Sequence, residues 1–187
     1  SFNVHPYHHE TIGNLVDLQN IQRDDLYAHY KAYYKPSNAC LAIAGDFECS
    51  RVADLISGYF EHISSGNPVE RMIQPEPVQR EERSVTIEGQ GETTYIQFSF
   101  HAPEASNPSF FPFVILSTLL TGASGLSPFD GGLSNVTSLL YKALVNTDIA
   151  LDVSGQLNAT IDPYLYHILI VLHPNSRVGQ VHDVIEK

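Results

Sequence analysis

The chain has 187 residues, of which 43% are hydrophobic and 10% aromatic, enough apolar material for one globular domain or two small ones. Its 10 Lys and Arg stand against 21 Asp and Glu, so the formal net charge is -11. That charge repels phosphate backbones and anionic lipid surfaces, which argues against nucleic-acid and membrane partners.

The first part of the chain predicts a helix, a strand and a second helix. Residues 20–35 have helical spacing of apolar side chains, with Asn20 as the N-cap. The run ACLAIAGDF, residues 39–47, is almost continuously apolar and closes with Gly-Asp, as a buried strand does at a turn. Ser50 can cap the second helix. The apolar residues of that helix form one stripe: Val52, Leu55, Ile56, Tyr59 and Phe60.

The two cysteines, Cys40 and Cys49, leave their pairing open. Cys40 lies in the apolar run, which predicts a buried free thiol. A disulfide with Cys49 would instead bring the chain back across the turn at Gly45-Asp46. The sequence does not identify a compartment that would favour one state over the other.

A change of composition divides the chain. Residues 63–82 contain three prolines and several charges without sustained periodicity, which predicts a linker. The linker separates two predicted domains, 1–62 and 83–187. We expect the first to be the end of one domain and the second to be most of another, incomplete at its carboxyl terminus.

The second predicted domain alternates strands and helices. Strands are predicted at 84–88, 94–100, 149–158 and 164–172, and helices at 110–120, at about 134–146 and after Ser176. The last strand, YLYHILIVL, is apolar on both faces and is expected at the centre of a sheet. The order α-β-α, linker, ββααββα predicts an α+β fold with a mixed or antiparallel sheet.

The hexapeptide His-Pro-Tyr-His-His-Glu, residues 5–10, has the composition of a metal site. Helical zinc sites place their ligands on one face, as in His-x-x-Glu-His, and that pattern is absent from the sequence. His5 and His9 have the right spacing, but Pro6 and the following Thr-Ile-Gly do not continue a helix. The hexapeptide, with His8 and Glu10, is therefore predicted to be a surface loop.

Other catalytic motifs are also absent. No Gly-x-Ser-x-Gly occurs, and the glycine-rich segment 122–132 lacks the Gly-Lys-Ser/Thr ending of a phosphate-binding loop and carries Asp130. No residue of this chain is assigned as catalytic, cofactor-binding or metal-binding.

One stretch carries a family resemblance. It contains His5-Pro6-Tyr7 and Ile12-Gly13, then the run Tyr33-Tyr34-Lys35-Pro36-Ser37-Asn38-Ala39, and finally Gly45-Asp46-Phe47. These motifs over residues 5–48 resemble the insulinase/pitrilysin zinc peptidases, also called inverzincins. The order of elements in 83–187, including the helix SLLYKAL, is similar to the second domain of that family.

The resemblance implies that the parent protein is a zinc metalloendopeptidase that cleaves peptides in a closed chamber. The zinc ligands of the family, a His-x-x-Glu-His helix and a later glutamate, precede the His-Pro-Tyr motif. We therefore expect the parent's zinc to be bound upstream of this chain and no cofactor within it. The expected partners are peptide substrates and the missing halves of the same peptidase or a homologous subunit.

One departure from the family pattern concerns an Arg and a Tyr that hold substrate in its carboxyl-terminal domains. The corresponding positions here read Leu144-Val145-Asn146-Thr147-Asp148-Ile149-Ala150-Leu151, without either residue. Their absence favours the metal-carrying half as the parent of this segment. The alternative is a non-catalytic subunit of a processing-peptidase-like complex.

Overall fold

The computed structural model describes residues 1–69, 73–127 and 136–186. The chain divides into two compact units, Phe2–Arg80 and Glu81–Lys187, called the first and the second unit below. Across the described ranges, every helix falls short of the length and apolar character that crossing a bilayer requires.

The described part of the first unit forms the helices α1 (Leu15–Asn20), α2 (Arg23–Tyr33) and α3 (Cys49–Phe60). The start of α1 is fixed by Asn14, whose side-chain oxygen accepts a hydrogen bond of 2.8 Å from the backbone N–H of Asp17. Such a cap satisfies one of the N–H groups that the first turn leaves unpaired. The short α1 was not predicted from the sequence.

The predicted helix over residues 20–35 begins later than expected. Asn20 is the last residue of α1 and not an N-cap. The N-cap of α2 is Gln22, whose backbone N–H donates to the Asp25 carboxylate over 2.9 Å. A carboxylate three residues into the helix pairs the N–H of the cap residue, which places the boundary two residues after the predicted one.

The predicted buried strand over residues 39–47 is wrong for the described structure. Residues 39–44 form no regular secondary structure, and Leu41 and Ile43 are 59% and 47% exposed. A strand persists when a neighbouring strand pairs its backbone and another layer covers its side chains. Among the described residues no strand pairs with this segment. Cys40 is consequently exposed and not buried, and both it and Cys49 are free thiols.

The first unit leaves most of its large apolar side chains uncovered. Among its described residues only His5 is buried. The apolar stripe of α3 illustrates this, since Val52 and Ile56 are half-buried whereas Leu55 and Tyr59 are 51% and 68% exposed. A contiguous apolar face of this kind is typical of a surface that other protein elements cover.

The second unit is built on a three-stranded antiparallel sheet with the order β1-β3-β2. The strands are β1 (Tyr95–Ala102), β2 (Ala150–Leu157) and β3 (Tyr164–Leu172). The central position of β3 agrees with its apolar character on both faces. Helices on one side of an antiparallel sheet make this an α+β fold, as the sequence predicted.

The core lies between this sheet and the helices α4 (Phe110–Thr121), α5 (Val178–Ile185) and a π-helical turn at Tyr141–Val145. Alternate residues of each strand face these helices, as the period of two requires. The largest fully buried side chains are Phe110, Val153, Leu157, Ile170, Leu144 and Val181. The second unit therefore has a hydrophobic core, whereas the described residues of the first unit form none.

One prediction for the second unit is wrong, and another falls partly outside the described residues. The predicted strand at 84–88 is wrong, because these residues form no ladder and Val85 and Ile87 are 82% and 87% exposed. Its alternating pattern is that of a strand, but no described strand pairs with it. The helix predicted at about 134–146 begins outside the described residues, and its described part is helical from Leu139.

The sheet and α4 approach each other closely at Gly155 in β2. A Cβ on Gly155 would lie 2.7 Å from Thr121 Cβ and 2.7 Å from Tyr166 Oη, and it would also overlap Thr121 Oγ1. Thr121 and Tyr166 share a buried hydrogen bond of 2.8 Å between their hydroxyl groups. Burial raises the pKa of Tyr166, and the bond with Thr121 offsets part of that increase. The absence of a side chain at Gly155 is what makes room for this pair.

Candidate functional site

The histidine-rich hexapeptide forms a local turn. Pro6–His8 is a 3-10 helix, and His5 caps it by accepting a hydrogen bond of 3.2 Å at Nδ1 from the backbone N–H of Tyr7. The His5 ring is 5% exposed and lies 4.4 Å from the Tyr7 ring and 5.9 Å from the Phe2 ring, centroid to centroid. His5 thus serves as a cap and as part of a small aromatic cluster.

A carboxylate from the predicted linker holds the backbone of this turn. Glu76 Oε1 accepts a hydrogen bond of 2.7 Å from the N–H of Asn3, and Oε2 accepts bonds of 2.9 Å from those of Val4 and His5. Hydrogen bonds to an ionised acceptor are the stronger ones in proteins. The linker composition gave no sign of this role, because Glu76 is separated from its partners by more than 70 residues.

Replacing Glu76 by alanine is expected to release the turn. The amide protons of Val4 and His5 lose a charged acceptor worth about 1.5–3 kcal/mol each, so their exchange with solvent should accelerate about tenfold or more. Hydrogen exchange followed by NMR measures this directly. Glu10→Ala makes the same charge change beside the turn and should leave both amides unchanged. Equal exchange in the two variants would contradict the assigned role of Glu76.

The described residues do not fit a zinc ion. Among them no group of three or more His, Cys, Asp or Glu side chains is arranged to hold a metal. Nδ1 of His5 is already occupied by the N–H of Tyr7, and the rings of His8 and His9 lie against each other with centroids 3.6 Å apart.

A second group of polar side chains lies on the face of the sheet that points away from the helices. Ser99 in β1, His167 in β3 and Gln156 in β2 stand opposite one another in register. The next row consists of Gln97, Leu169 and Ser154. We call these two rows the polar rows of the sheet.

Hydrogen bonds fix the protonation of the His167 ring. Its Nδ1 lies 2.9 Å from Ser99 Oγ and 3.1 Å from Gln97 Nε2. With the Gln97 amide nitrogen as the donor, Nδ1 accepts and the ring proton lies on Nε2. Burial lowers the pKa of His167, which also favours the neutral ring.

A cavity of about 200 Å³ opens between the polar rows. It is lined by Gln97, Ser154, Gly155, Gln156, His167 and Leu169. All of the polar lining groups are neutral. The predicted strand at 94–100 contains Gln97 and Ser99, but the sequence did not identify the cluster. The required signal was the strand register, which brings together residues about 70 positions apart.

The comparisons with known proteins agree with the fold. A family model described as the peptidase M16 inactive domain matches residues 20–187. The chain is similar to the zinc protease PqqE of Helicobacter pylori, with 34% identity over 61 residues, which are 33% of this chain and 14% of that protein.

Two solved structures resemble this one. The crystal structure of a protease from Helicobacter pylori has a TM-score of 0.79 at 20% identity, and that of a peptidase M16 inactive domain from Pseudomonas fluorescens has 0.72 at 16%. Both matches cover 99% of this chain and 43% of the other, so the chain spans less than half the length of these relatives. The predicted resemblance is confirmed: the chain belongs to the M16 peptidase family, to which the insulinase/pitrilysin enzymes belong, and residues 20–187 correspond to the domain that the family model describes as inactive.

Proposed function

We propose that this chain is a non-catalytic segment of a zinc-dependent endopeptidase and forms part of the wall of its closed substrate chamber. The parent enzyme holds its zinc on residues outside this chain. The segment contributes structure and a surface that peptide substrates contact. The family match supports this assignment, because the matching model describes a domain without activity in a peptidase family.

The observation that carries the proposal is the uncovered apolar surface of the first unit. The described residues of this unit bury only His5, and Leu55 and Tyr59 form an exposed apolar face on α3. Exposing such a face to water costs about 25 cal/mol per Å² relative to burying it. Other elements of the same peptidase, or a homologous subunit, are the partners that cover it.

The test is reconstitution. The 187-residue chain is purified alone and after co-expression with the remaining segments of the parent peptidase. Zinc is measured by elemental analysis and activity with an internally quenched peptide. The chain alone should contain no stoichiometric zinc and should not cleave the peptide. The assembly should contain stoichiometric zinc and cleave it. Stoichiometric zinc bound by the chain alone would overturn the proposal.

A pair of variants tests the covering surface. Leu55→Asp places a charge in the exposed apolar face of α3 and should reduce co-purification with the partner at least tenfold, since an unpaired charge is costly to bury. Ser57→Asp introduces the same charge on the same helix, away from Leu55, and should leave co-purification unchanged. An assembly that forms but has neither zinc nor activity would favour the alternative, a non-catalytic subunit of a processing-peptidase-like complex.

A further inference from the structure

The cavity between the polar rows of the sheet has an uncharged polar lining, which favours uncharged ligands. Its polar lining consists of two carboxamides, a hydroxyl and a neutral imidazole, and no charged side chain takes part. An ionised group entering it would lose part of its hydration without gaining a counter-charge, which is costly. A neutral group that hydrogen-bonds avoids that cost.

The hydrogen-bonding capacity of the lining matches an amide. The hydroxyl of Ser154 can donate and accept. The Nε2 of Gln97 already donates to Ser99 and His167, so this side chain offers its Oε1 as an acceptor. The His167 ring, with Nδ1 accepting from Gln97, carries its proton on Nε2 and adds one further donor. A peptide group presents one N–H and one C=O, so it requires both kinds of partner together.

The size of the cavity limits how much of a ligand it takes. About 200 Å³ is less than the 300–1,000 Å³ that is typical of sites enclosing a whole small molecule. The side chain of Leu169 adds an apolar contact beside the polar groups. A short stretch of extended main chain with small uncharged side chains fits these dimensions.

We propose that this cavity binds the main chain of an uncharged, extended segment of a polypeptide, with Gln97, Ser154 and His167 as its hydrogen-bonding partners. The inference rests on the proposed function, in that the segment belongs to a peptide substrate in the chamber. It assigns a specificity to the wall of the chamber: neutral stretches are held here and charged ones are not.

The experiment is an NMR titration of the full 187-residue chain labelled with ¹³C and ¹⁵N. The probe is a hexapeptide of Ala, Ser and Gln, acetylated and amidated so that it carries no charge. The expected result is a saturable shift of Gln97 and Ser154 and of the Nε2 resonance of His167. A second peptide with Lys and Glu at two positions should bind at least fivefold more weakly.

Two variants make the result specific. Ser154→Val removes a lining hydroxyl with a residue that strands accommodate, and it should weaken binding about fivefold. Tyr95→Phe removes a hydroxyl from the same face outside the cavity and should not change binding. Shifts that do not saturate, equal binding of the charged peptide, or an unaffected Ser154→Val variant would each overturn the inference. The Nε2 measurement on the unaltered chain stands even if a variant fails to fold.

The outcomes separate this inference from the proposed function. An active reconstituted assembly whose segment shows no peptide shift at the cavity would overturn the binding site alone. A saturable shift in a segment that never yields an active assembly would overturn the proposed function and leave the binding site in place.

Discussion

Replacing Gly155 by alanine is expected to destabilise the second unit by about 3 kcal/mol. The added Cβ would overlap the Thr121 hydroxyl and lie 2.7 Å from both Thr121 Cβ and Tyr166 Oη, so α4 and β2 must move apart. Their separation weakens a buried hydrogen bond and the packing around it. Amide exchange of the central strand β3 reports the free energy of unfolding of this unit and is the measurement of choice.

A matched substitution controls for the change of backbone entropy. Gly179 lies in α5 of the same unit, and a Cβ there would meet nothing within 4 Å. Gly179→Ala should therefore leave stability unchanged or raise it by up to about 1 kcal/mol. Adding Thr121→Ala to Gly155→Ala removes the clashing hydroxyl and should restore part of the loss. A Gly155→Ala variant as stable as the parent would refute the close approach of α4 to the sheet.

The Leu144→Ala variant is expected to lose about 3 kcal/mol of stability. Leu144 is 0% exposed and belongs to the buried cluster between the sheet and the π-helical turn. Truncating it removes apolar contacts and leaves a cavity that rigid neighbouring strands fill only in part. The loss should be visible as faster exchange of the β3 amides and a lower urea midpoint by circular dichroism.

Leu139 provides the comparison for this variant. It lies in the same helical segment and is 58% exposed. Leu139→Ala should change the free energy of unfolding by less than about 0.5 kcal/mol, because no cavity forms at the surface. Similar effects of the two substitutions would contradict the packing described for the π-helical turn.

The sequence predicted well those elements whose own residues show a clear apolar pattern. The run YLYHILIVL is apolar on both faces, and it became the central strand β3. The helix predicted at 110–120 agrees with α4 (Phe110–Thr121), whose buried Phe110 and Ser117 lie at helical spacing. In each case a nearly continuous apolar run of the right length marks the element, so a local pattern is sufficient.

The failed predictions concern segments whose structure depends on a partner. Residues 39–47 and 84–88 have the composition of strands, yet no described strand pairs with either. A strand forms its backbone hydrogen bonds with a neighbouring segment. An apolar pattern therefore produces a strand only where another segment pairs with it. The helix pattern of α3, whose hydrogen bonds are internal, gave the correct element in the same unit.

The site residues could not be identified from local sequence patterns, for a related reason. Glu76 binds backbone groups at the start of the chain, and His167 binds side chains on β1, both across about 70 positions. The sequence does not distinguish either residue, because a single glutamate in a predicted linker and a single histidine in a strand are common. Only folding brings these two residues to their partners, and their hydrogen bonds depend on that proximity.

The uncovered apolar face of the first unit also has a consequence for the supply of this protein in the cell. Chaperones and quality-control proteases act on chains that expose apolar segments, and Leu55 and Tyr59 form such a face on α3. Under the proposed function, a copy that has not bound the proposed partner is expected to be retained or degraded, whereas an assembled copy is spared. The amount of this segment would then follow the amount of the proposed partner, so that the ratio of the two is set by degradation as well as by synthesis.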